Sequence, residues 1–418
     1  MTDMNQERQL ADLNALLEVS RELGATTELI PLLRKVEWAV RQVLDCDRAT
    51  VFLYDQNADE LYSLVATGAE QIRFAAKLGI AGQAFKENRQ ITVHDAYADN
   101  RFNRAIDKAT GFHTRNILTF PMQGHDGNTV GVLQALNKRH AAFDPVDEEK
   151  AADLGRLAGV AIQRQMLLDE FALKQRMERD LALARDIQQR LLPKSDPSVK
   201  GYAIAGWSKP ADATGGDCYD YVPMDHDRLG IFLADATGHG IGPALIVSEC
   251  RALIRALGTS VDDPATILQR ANVLLNEDLD TGRFVTTFFG VLDPIRHLLP
   301  YLSAGQGPLL HFHRTTGAVD EIGATTYPLG ILPTIEDMPS CRIEIQRGDV
   351  ILLATDGFYE WADPDGAQFG TQRVVDVLRA SCDCPPRQLI HELYRRVEQF
   401  GRGTEQADDV TAVAIKRE

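Results

Sequence analysis

Hydrophobic residues in the first 165 positions change between helical and strand-like spacing. Leucines at helical spacing predict a first helix over about 5–23, and a second helix is predicted over about 29–44. Short apolar runs are typical of strands and occupy 49–54, 61–65, 91–93, 118–120 and 130–136. Asp126-Gly127-Asn128 favours a hairpin turn before the last run. A closing helix is predicted from about residue 145, so this region reads as a sheet with flanking helices.

The closing helix continues without an obvious stop. Residues 148–192 contain no Pro, and Gly155 and Gly159 are their only glycines. A coiled-coil-like seam at intervals of three and four is formed by Leu173, Met177, Leu181, Ala184, Ile187 and Leu191. Pro193 is expected to end the helix, and 194–198 to form a short hinge. We favour a dimerising helical linker, and hence a homodimer; packing of this helix onto its own domain is the alternative.

The remaining residues predict a second domain with sequential strands and intervening helices. Strands are predicted over 229–234, 284–292, 298–303, 309–312, 350–354 and 410–415, and helices over 242–257, 264–279, 372–379 and 386–400. This order favours an α+β fold in which sheets pack face to face with helices outside. The predicted domains are 1–165, the linker 166–196, and 197–418.

Composition narrows the class of protein. A chain of 418 residues exceeds what one core usually supports, and 44% hydrophobic with 25% charged residues fits a globular protein. The net charge of −16, without a basic block, disfavours nucleic-acid binding. No apolar run reaches the roughly 18–20 residues that span a bilayer, and no signal peptide opens the chain, so a cytoplasmic location is expected. Six scattered Cys form no CxxC pair, which disfavours a disulfide framework or a cysteine zinc site.

Acidic residues recur at strand ends in the second domain. Asp235 follows the apolar run 229–234, Asp356 follows 350–354, and Asp408 and Asp409 precede the last strand. Asp217 stands beside two glycines. A single such Asp is usually a turn residue, but a set of carboxylates repels itself unless cations neutralise it. Oxygen-only ligands select Mg²⁺ or Mn²⁺ and suit hydrolysis of a phosphoester by metal-activated water.

These motifs resemble the metal-dependent PPM (type 2C) protein phosphatases, and most of all their stage II sporulation E-like branch. The shared landmarks are 187–193, Gly215-Gly216-Asp217-Cys218-Tyr219-Asp220, 234–240, Ala304-Gly305, 328–330, 356–360 and Asp408-Asp409-Val410-Thr411. The resemblance implies a β-sandwich flanked by helices and a phosphoserine or phosphothreonine substrate. It also implies a phosphoserine-bearing anti-anti-sigma protein of the STAS type as partner. A ligand-binding scaffold with a degenerate phosphatase domain, or a phosphatase acting on a small phosphoester, are the alternatives.

The resemblance assigns roles to individual residues. Asp235 would bridge two ions, Mn²⁺ or Mg²⁺. Asp217 and the carbonyl of Ala236 would complete one ion site, and Asp356 and Asp408 the other, with Asp409 the less expected ligand.

Two further residues near these ligands leave their roles open. His239 is either an acid that protonates the leaving oxygen or a turn residue. Gln306 stands where relatives often carry His, which puts any proton-transfer role of its loop in doubt.

Residues from about 10 to 165 resemble a GAF domain, in which a sheet with flanking helices encloses a small-molecule pocket. The landmarks include Gly79-Ile80-Ala81-Gly82, 99–103, 110–115, and Asn137-Lys138 followed by Phe143 and Asp147-Glu148. The last set is seen in GAF domains that bind cyclic nucleotides, so cAMP or cGMP is a possible ligand; another small ligand, or none, is the alternative. Residues that would line the site by analogy are Arg101, Phe102, Asn103, Asp107, Thr110 and Thr114. A Lys–Asp ion pair that fastens a loop to the final helix would explain part of the signature without a ligand.

Overall fold

The computed structural model describes residues 17–66, 72–280, 282–335 and 338–418, apart from the side chains of Ala66, Ile106, Ala109 and Thr110. The chain folds into two compact units, Met1–Arg176 and Met177–Glu418. Residues 5–16 of the predicted first helix lie outside the described residues, and 17–25 are helical. The predicted domain limits stay predictions, because one helix crosses the boundary between the units.

The first unit contains a six-stranded antiparallel sheet with helices on both faces. In chain order its elements are α1 (Leu29–Val43), β1 (Cys46–Asp55), β2 (Glu60–Ala66), β3 (Ile72–Ala75), α2 (Gly79–Glu87), β4 (Ile91–Val93), α3 (Arg104–Thr110), β5 (Ile117–Gln123), β6 (Thr129–Lys138) and the long helix α4 (Pro145–Leu191). The strands follow the order β3-β2-β1-β6-β5-β4. Leu33 of α1 and Leu154 of α4 join Phe120 in the core on one face, while Ile80 of α2 joins Phe52 on the other. The predicted sheet with flanking helices is therefore confirmed.

The second unit is a sandwich of two five-stranded antiparallel sheets. Its elements are β7 (Tyr202–Lys209), β8 (Asp217–Pro223), β9 (Leu229–Ala236), α5 (Ile241–Leu257), α6 (Pro264–Asp278), β10 (Val285–Leu292), β11 (Leu298–Ala304), β12 (Leu309–Phe312), β13 (Val319–Ile322), β14 (Cys341–Glu344), β15 (Val350–Ala354), α7 (Gly357–Glu360), α8 (Gly370–Ala380), α9 (Pro386–Gly401) and β16 (Val410–Arg417). The sheet orders are β14-β11-β10-β9-β8 and β13-β12-β15-β16-β7.

The core of the second unit has three layers of buried contacts. Leu233 and Phe288 of the first sheet meet Ile351 and Val413 of the second in one buried cluster between the sheets. Helices α5 and α6 cover the outer face of the first sheet, and α8 and α9 that of the second. The predicted sandwich flanked by helices is confirmed.

Helix α4 has the length that the apolar spacing predicts. It ends at Leu191, two residues before Pro193. Among the described residues, none of the helices combines the length and apolar character that crossing a membrane requires.

Candidate metal and catalytic site

The acidic residues meet because of how the strands pair. Asp217 of β8 lies directly opposite Asp235 of β9 in the first sheet. In the second sheet Ala354, at the end of β15, pairs with Ala412 near the start of β16. Asp356 follows β15 and Asp408 precedes β16. Both residues therefore lie at the same end of these two paired strands.

A hydrogen bond ties the two sheets together at this edge. Thr355, on the second sheet, donates its hydroxyl to Asp217 Oδ2 at 2.7 Å. Thr355 also accepts a hydrogen bond from the backbone of Thr411 at 3.0 Å, which links the loop after β15 to β16. Asp217 is therefore held against the second sheet although its strand belongs to the first.

The neighbouring carboxylates of Asp408 and Asp409 have different surroundings. Asp409 is buried, and its Oδ1 accepts the backbone N–H of Ala211 at 2.7 Å while its Oδ2 accepts that of Gly216 at 2.5 Å. Asp408 is exposed and accepts the backbone N–H of Asp409 at 2.8 Å. Both oxygens of Asp409 are thus engaged in holding the loop before β8, whereas Asp408 faces solvent.

Burial and mutual repulsion raise the pKa values of this cluster. The pKa of Asp235 rises to about 8 through burial and through the charges of Asp356 and Asp408. Burial, with Asp408 next, raises the pKa of Asp356 to about 6. The pKa of Asp217 also lies well above its usual value, through burial and then through Asp235. Carboxylates that resist ionisation together become a favourable site for divalent cations, and an all-oxygen set fits Mg²⁺ or Mn²⁺.

The chain turns sharply between β9 and α5. Gly238 and Gly240 have φ angles of +94° and +88°, in a region that side chains with a Cβ rarely occupy. His239 between them projects outward with 88% of its side chain exposed, and its Nδ1 lies 3.2 Å from Asp212 Oδ2. The carbonyl of Ala236 lies close to Gly216, where an added Cβ would approach it to 2.8 Å.

Gln306 lies beside the carboxylates, and both ends of its side-chain amide are hydrogen-bonded. Its buried side chain accepts a hydrogen bond from Thr286 at 2.8 Å and donates one to the carbonyl of Ala354 at 3.3 Å. Thr286 lies opposite Asp235, and Ala354 precedes Asp356 by two residues. Gln306 thus links the two sheets beside the carboxylates.

Gln188, near the end of α4, is hydrogen-bonded to the loop before β8, and the sequence does not predict this contact. Its amide oxygen accepts the N–H of Gly215 at 3.0 Å, and its amide nitrogen donates to the Gly215 carbonyl at 2.5 Å. Gly215 and Gly216 lead directly into Asp217, so the linker helix holds the loop that positions this carboxylate. The only sequence signal was that 187–193 belongs to a recognised motif.

The residues predicted around a ligand in the first unit do line one cavity. It has a volume of about 340 Å³ and is mostly apolar, and Arg101, Phe102, Asn103, Asp107 and Thr114 belong to its wall. The side chain of Thr110 lies outside the described residues. A cavity of this volume is at the lower end of the range for small-molecule sites.

Most polar groups of this cavity already have partners. Asp107 is buried and accepts hydrogen bonds from the backbone and hydroxyl of Thr114 at 2.7 and 2.8 Å. Arg101 pairs with Asp99, and it donates to Gln83 at 2.5 Å. The polar part of the wall is therefore fixed by contacts within the protein.

The residues of the signature Asn137-Lys138, Phe143 and Asp147-Glu148 make contacts within the protein. Lys138 forms an ion pair with buried Asp147 at the start of α4. Asn137 accepts the N–H of Arg115 at 2.6 Å, and Phe143 is buried in the core. The ion pair that fastens a loop to the final helix is present.

Each half of the chain matches the model of a known protein family. The Stage II sporulation protein E (SpoIIE) family model matches residues 225–418, and the GAF domain model matches residues 28–162. The first match includes Asp235, Asp356 and Asp408, and Asp217 lies just before it.

Two curated relatives match different shares of the chain. "Phosphoserine phosphatase RsbU" of Bacillus subtilis (strain 168) is 24% identical over 261 residues, which cover 62% of this chain and 76% of the relative. "Probable 3',5'-cyclic phosphodiesterase pde-5" of Caenorhabditis elegans is 28% identical over 172 residues, covering 38% of this chain but 24% of the relative.

A solved structure shares the fold. The SiaA-PP2C domain of Pseudomonas aeruginosa superimposes with a TM-score of 0.51 at 24% identity, covering 59% of this chain and 98% of that domain.

Proposed function

Because this chain joins a GAF domain to a SpoIIE-type protein serine/threonine phosphatase domain, we propose that it hydrolyses phosphoserine or phosphothreonine on a regulatory protein with two divalent ions, Mn²⁺ or Mg²⁺. The observation that carries the proposal is the meeting of carboxylates from both sheets at one edge of the sandwich. Burial and the charges of neighbouring carboxylates raise their pKa values, as expected for acidic side chains held close together.

We take the assignment of residues to two ion sites from the resemblance to the phosphatase family. Asp235 would bridge both ions, with Asp217 and the carbonyl of Ala236 on one side and Asp356 and Asp408 on the other. The exposed carboxylate of Asp408 supports its choice over its neighbour, whose oxygens are occupied by backbone N–H groups.

Metal ions bound there would supply an activated water nucleophile and positive charge against the phosphoryl oxygens. The protein's own groups would orient the substrate and move protons. His239, exposed at the turn after β9 and beside Asp212, would donate a proton to the leaving serine oxygen.

Hydrolysis of p-nitrophenyl phosphate in the presence of Mn²⁺ tests the metal assignment. The Asp235→Ala and Asp356→Ala variants should lose this activity while circular dichroism shows an intact fold. Full activity in either variant would sink the assignment, and an inactive wild-type protein would favour the alternative of a signalling scaffold with a degenerate phosphatase domain.

We further propose that the substrate is a phosphoserine-bearing anti-anti-sigma protein of the STAS type. The relative RsbU is named a phosphoserine phosphatase, which supports a phosphoserine substrate here. Rates on a phosphoserine peptide and on small phosphoesters, measured side by side, test the substrate class. Faster hydrolysis of the small esters would overturn the proposal of a protein substrate.

A cyclic nucleotide, cAMP or cGMP, is our proposal for the GAF cavity. The volume of about 340 Å³ and the wall residues Arg101, Phe102 and Asn103 support a small ligand, and one relative is named a cyclic phosphodiesterase. Calorimetry with each nucleotide, paired with an activity measurement, is the test. Neither heat nor a change in rate would remove the nucleotide from consideration.

The exposed seam of α4 supports a homodimer through the linker. Leu173, Met177 and Ile187 leave 59%, 59% and 56% of their surfaces exposed in the single chain. A second copy of the same helix would cover these side chains in a coiled coil. Met177→Glu should convert the dimer to a monomer in sedimentation experiments, whereas Glu178→Gln on the polar face should not; a monomeric wild-type chain would contradict the proposal.

A further inference from the structure

Two histidines and one aspartate whose side chains could bind a metal ion lie together, far from the carboxylate cluster. His311 is in β12, opposite Ile351 of β15, and His313 follows the end of β12 on the same face. Asp349 immediately precedes β15, so the antiparallel pairing brings it beside the two histidines. Asp356 follows the other end of β15, roughly 20 Å away at the rise of an extended strand.

The ligand atoms of these three residues converge. His311 Nε2 lies 3.2 Å from Asp349 Oδ2, and His313 Nδ1 lies 3.9 Å from the same oxygen. All three ligand atoms lie within 4.8 Å of one another. Ligands about 2.0–2.2 Å from a tetrahedral zinc ion stand roughly 3.4 Å apart, so only small side-chain rotations would close the site.

The surrounding residues hold these ligands in a suitable orientation. His313 Nε2 lies 2.8 Å from Asp320 Oδ2, and its Nδ1 is directed towards Asp349. A carboxylate that receives the second ring N–H is the usual partner of a zinc-bound histidine. Asp349 is fixed by backbone N–H groups of Arg314 and Gln346, each at 2.9 Å.

Charge in the cluster favours a cation. Arg314 donates its backbone N–H to Asp349, while its guanidinium pairs with Asp383 at 3.0 Å. The cluster combines two imidazoles with the carboxylates of Asp349 and Asp320, whose negative charges a divalent ion would neutralise.

We propose that His311, His313 and Asp349 form a zinc site that fastens the end of β12 to the start of β15. Two nitrogen ligands and one oxygen select Zn²⁺ over Mg²⁺ or Mn²⁺, which distinguishes this site from the carboxylate cluster. The fourth position would be taken by water, since His313 is 29% exposed while Asp349 and His311 are buried. Zinc would replace the Nε2 proton of His311, which moves to Nδ1.

Competition of the full chain with a chromophoric chelator for Zn²⁺, in excess Mg²⁺, tests the proposal. Wild-type protein should retain one tightly bound Zn²⁺ per chain, and His313→Ala should lose it. Exposed His94 of the first unit provides the control, because His94→Ala should keep the ion. Asp320→Asn should weaken binding about 10- to 100-fold without abolishing it.

Two controls separate this site from the carboxylate cluster and from misfolding. Asp408→Ala should keep the tight Zn²⁺, and Co²⁺ in its place should give the visible absorption of a nitrogen-ligated ion that His313→Ala removes. Circular dichroism shows whether His313→Ala retains the fold. The proposal is overturned if wild-type protein holds no tight Zn²⁺, or if Asp408→Ala loses the ion while His313→Ala retains it.

Discussion

Replacing Asp235 by Asn should stabilise the metal-free protein although it removes a proposed ligand. Burial, together with Asp356 and Asp408, raises the pKa of Asp235 from 3.8 to about 8. The unfolded chain keeps the ordinary value, so the folded protein holds a proton that the unfolded chain releases between about pH 4 and pH 8. Stability due to this group is therefore complete at low pH and is lost as the pH rises through that window.

The size of the effect follows from the shift. At about 1.4 kcal/mol per pKa unit, Asp235 costs the folded state about 4 kcal/mol at neutral pH relative to a side chain that stays neutral. The amide of Asp235→Asn still has to be buried, which costs roughly 1–2 kcal/mol. We therefore expect a gain of about 2–3 kcal/mol in the free energy of unfolding at pH 7 with a chelator, and a loss of about 1 kcal/mol near pH 4, where the ionisation cost has almost gone and the amide burial remains.

Urea unfolding followed by tryptophan fluorescence measures this gain. In a Trp38→Phe background the signal comes from Trp207 and Trp361, both in the second unit. Exposed Asp365 supplies the matched control, since Asp365→Asn should leave stability unchanged. Saturating Mn²⁺ should reverse the order, because ion binding stabilises the wild-type protein. Equal stabilities of Asp235→Asn and wild type at pH 7 would refute the argument that these carboxylates repel one another.

Two further contacts give predictions. Gln188→Ala removes both hydrogen bonds to Gly215 and should raise the Mn²⁺ concentration needed for half-maximal activity. The control Gln189→Ala changes an exposed side chain and should leave that concentration unchanged. Identical Mn²⁺ titrations of Gln188→Ala and wild type would contradict this role of Gln188. Lys138→Met leaves buried Asp147 unpaired and should destabilise the first unit by about 3–5 kcal/mol, while the added change Asp147→Leu should restore most of that loss in urea unfolding. If the single variant unfolds like wild type, the ion pair does not fasten this loop.

The sequence alone predicts those elements whose apolar pattern is continuous. The runs that become β9 and β15 are continuous and apolar up to Ala234 and Ala354, so both strands could be anticipated, with Asp235 and Asp356 at their ends. Strand β8 escaped prediction because two of its buried residues are charged. One is Asp217, and the other is Asp220, which pairs with Arg251 at 2.9 Å and Arg255 at 2.6 Å.

Contacts between residues far apart in the chain could not be predicted. Helix α2 contains Gly79 and Gly82, which have low helix propensity, and tertiary packing of Ile80 overrides it. Asp349 follows His313 by 36 residues, so only strand pairing shows that they meet. The same holds for Gln188, whose partner Gly215 lies in the loop before β8.

Release of phosphate from a phosphoserine peptide, measured across a titration of Mn²⁺, tests the central claim most directly. We predict that the full chain hydrolyses the peptide, that a chelator reduces the rate to background, and that added Mn²⁺ or Mg²⁺ restores it. Asp408→Ala should require far more Mn²⁺ than wild type. Hydrolysis that persists after complete removal of metal, or no hydrolysis at any Mn²⁺ concentration, would contradict the account of a metal-dependent phosphatase.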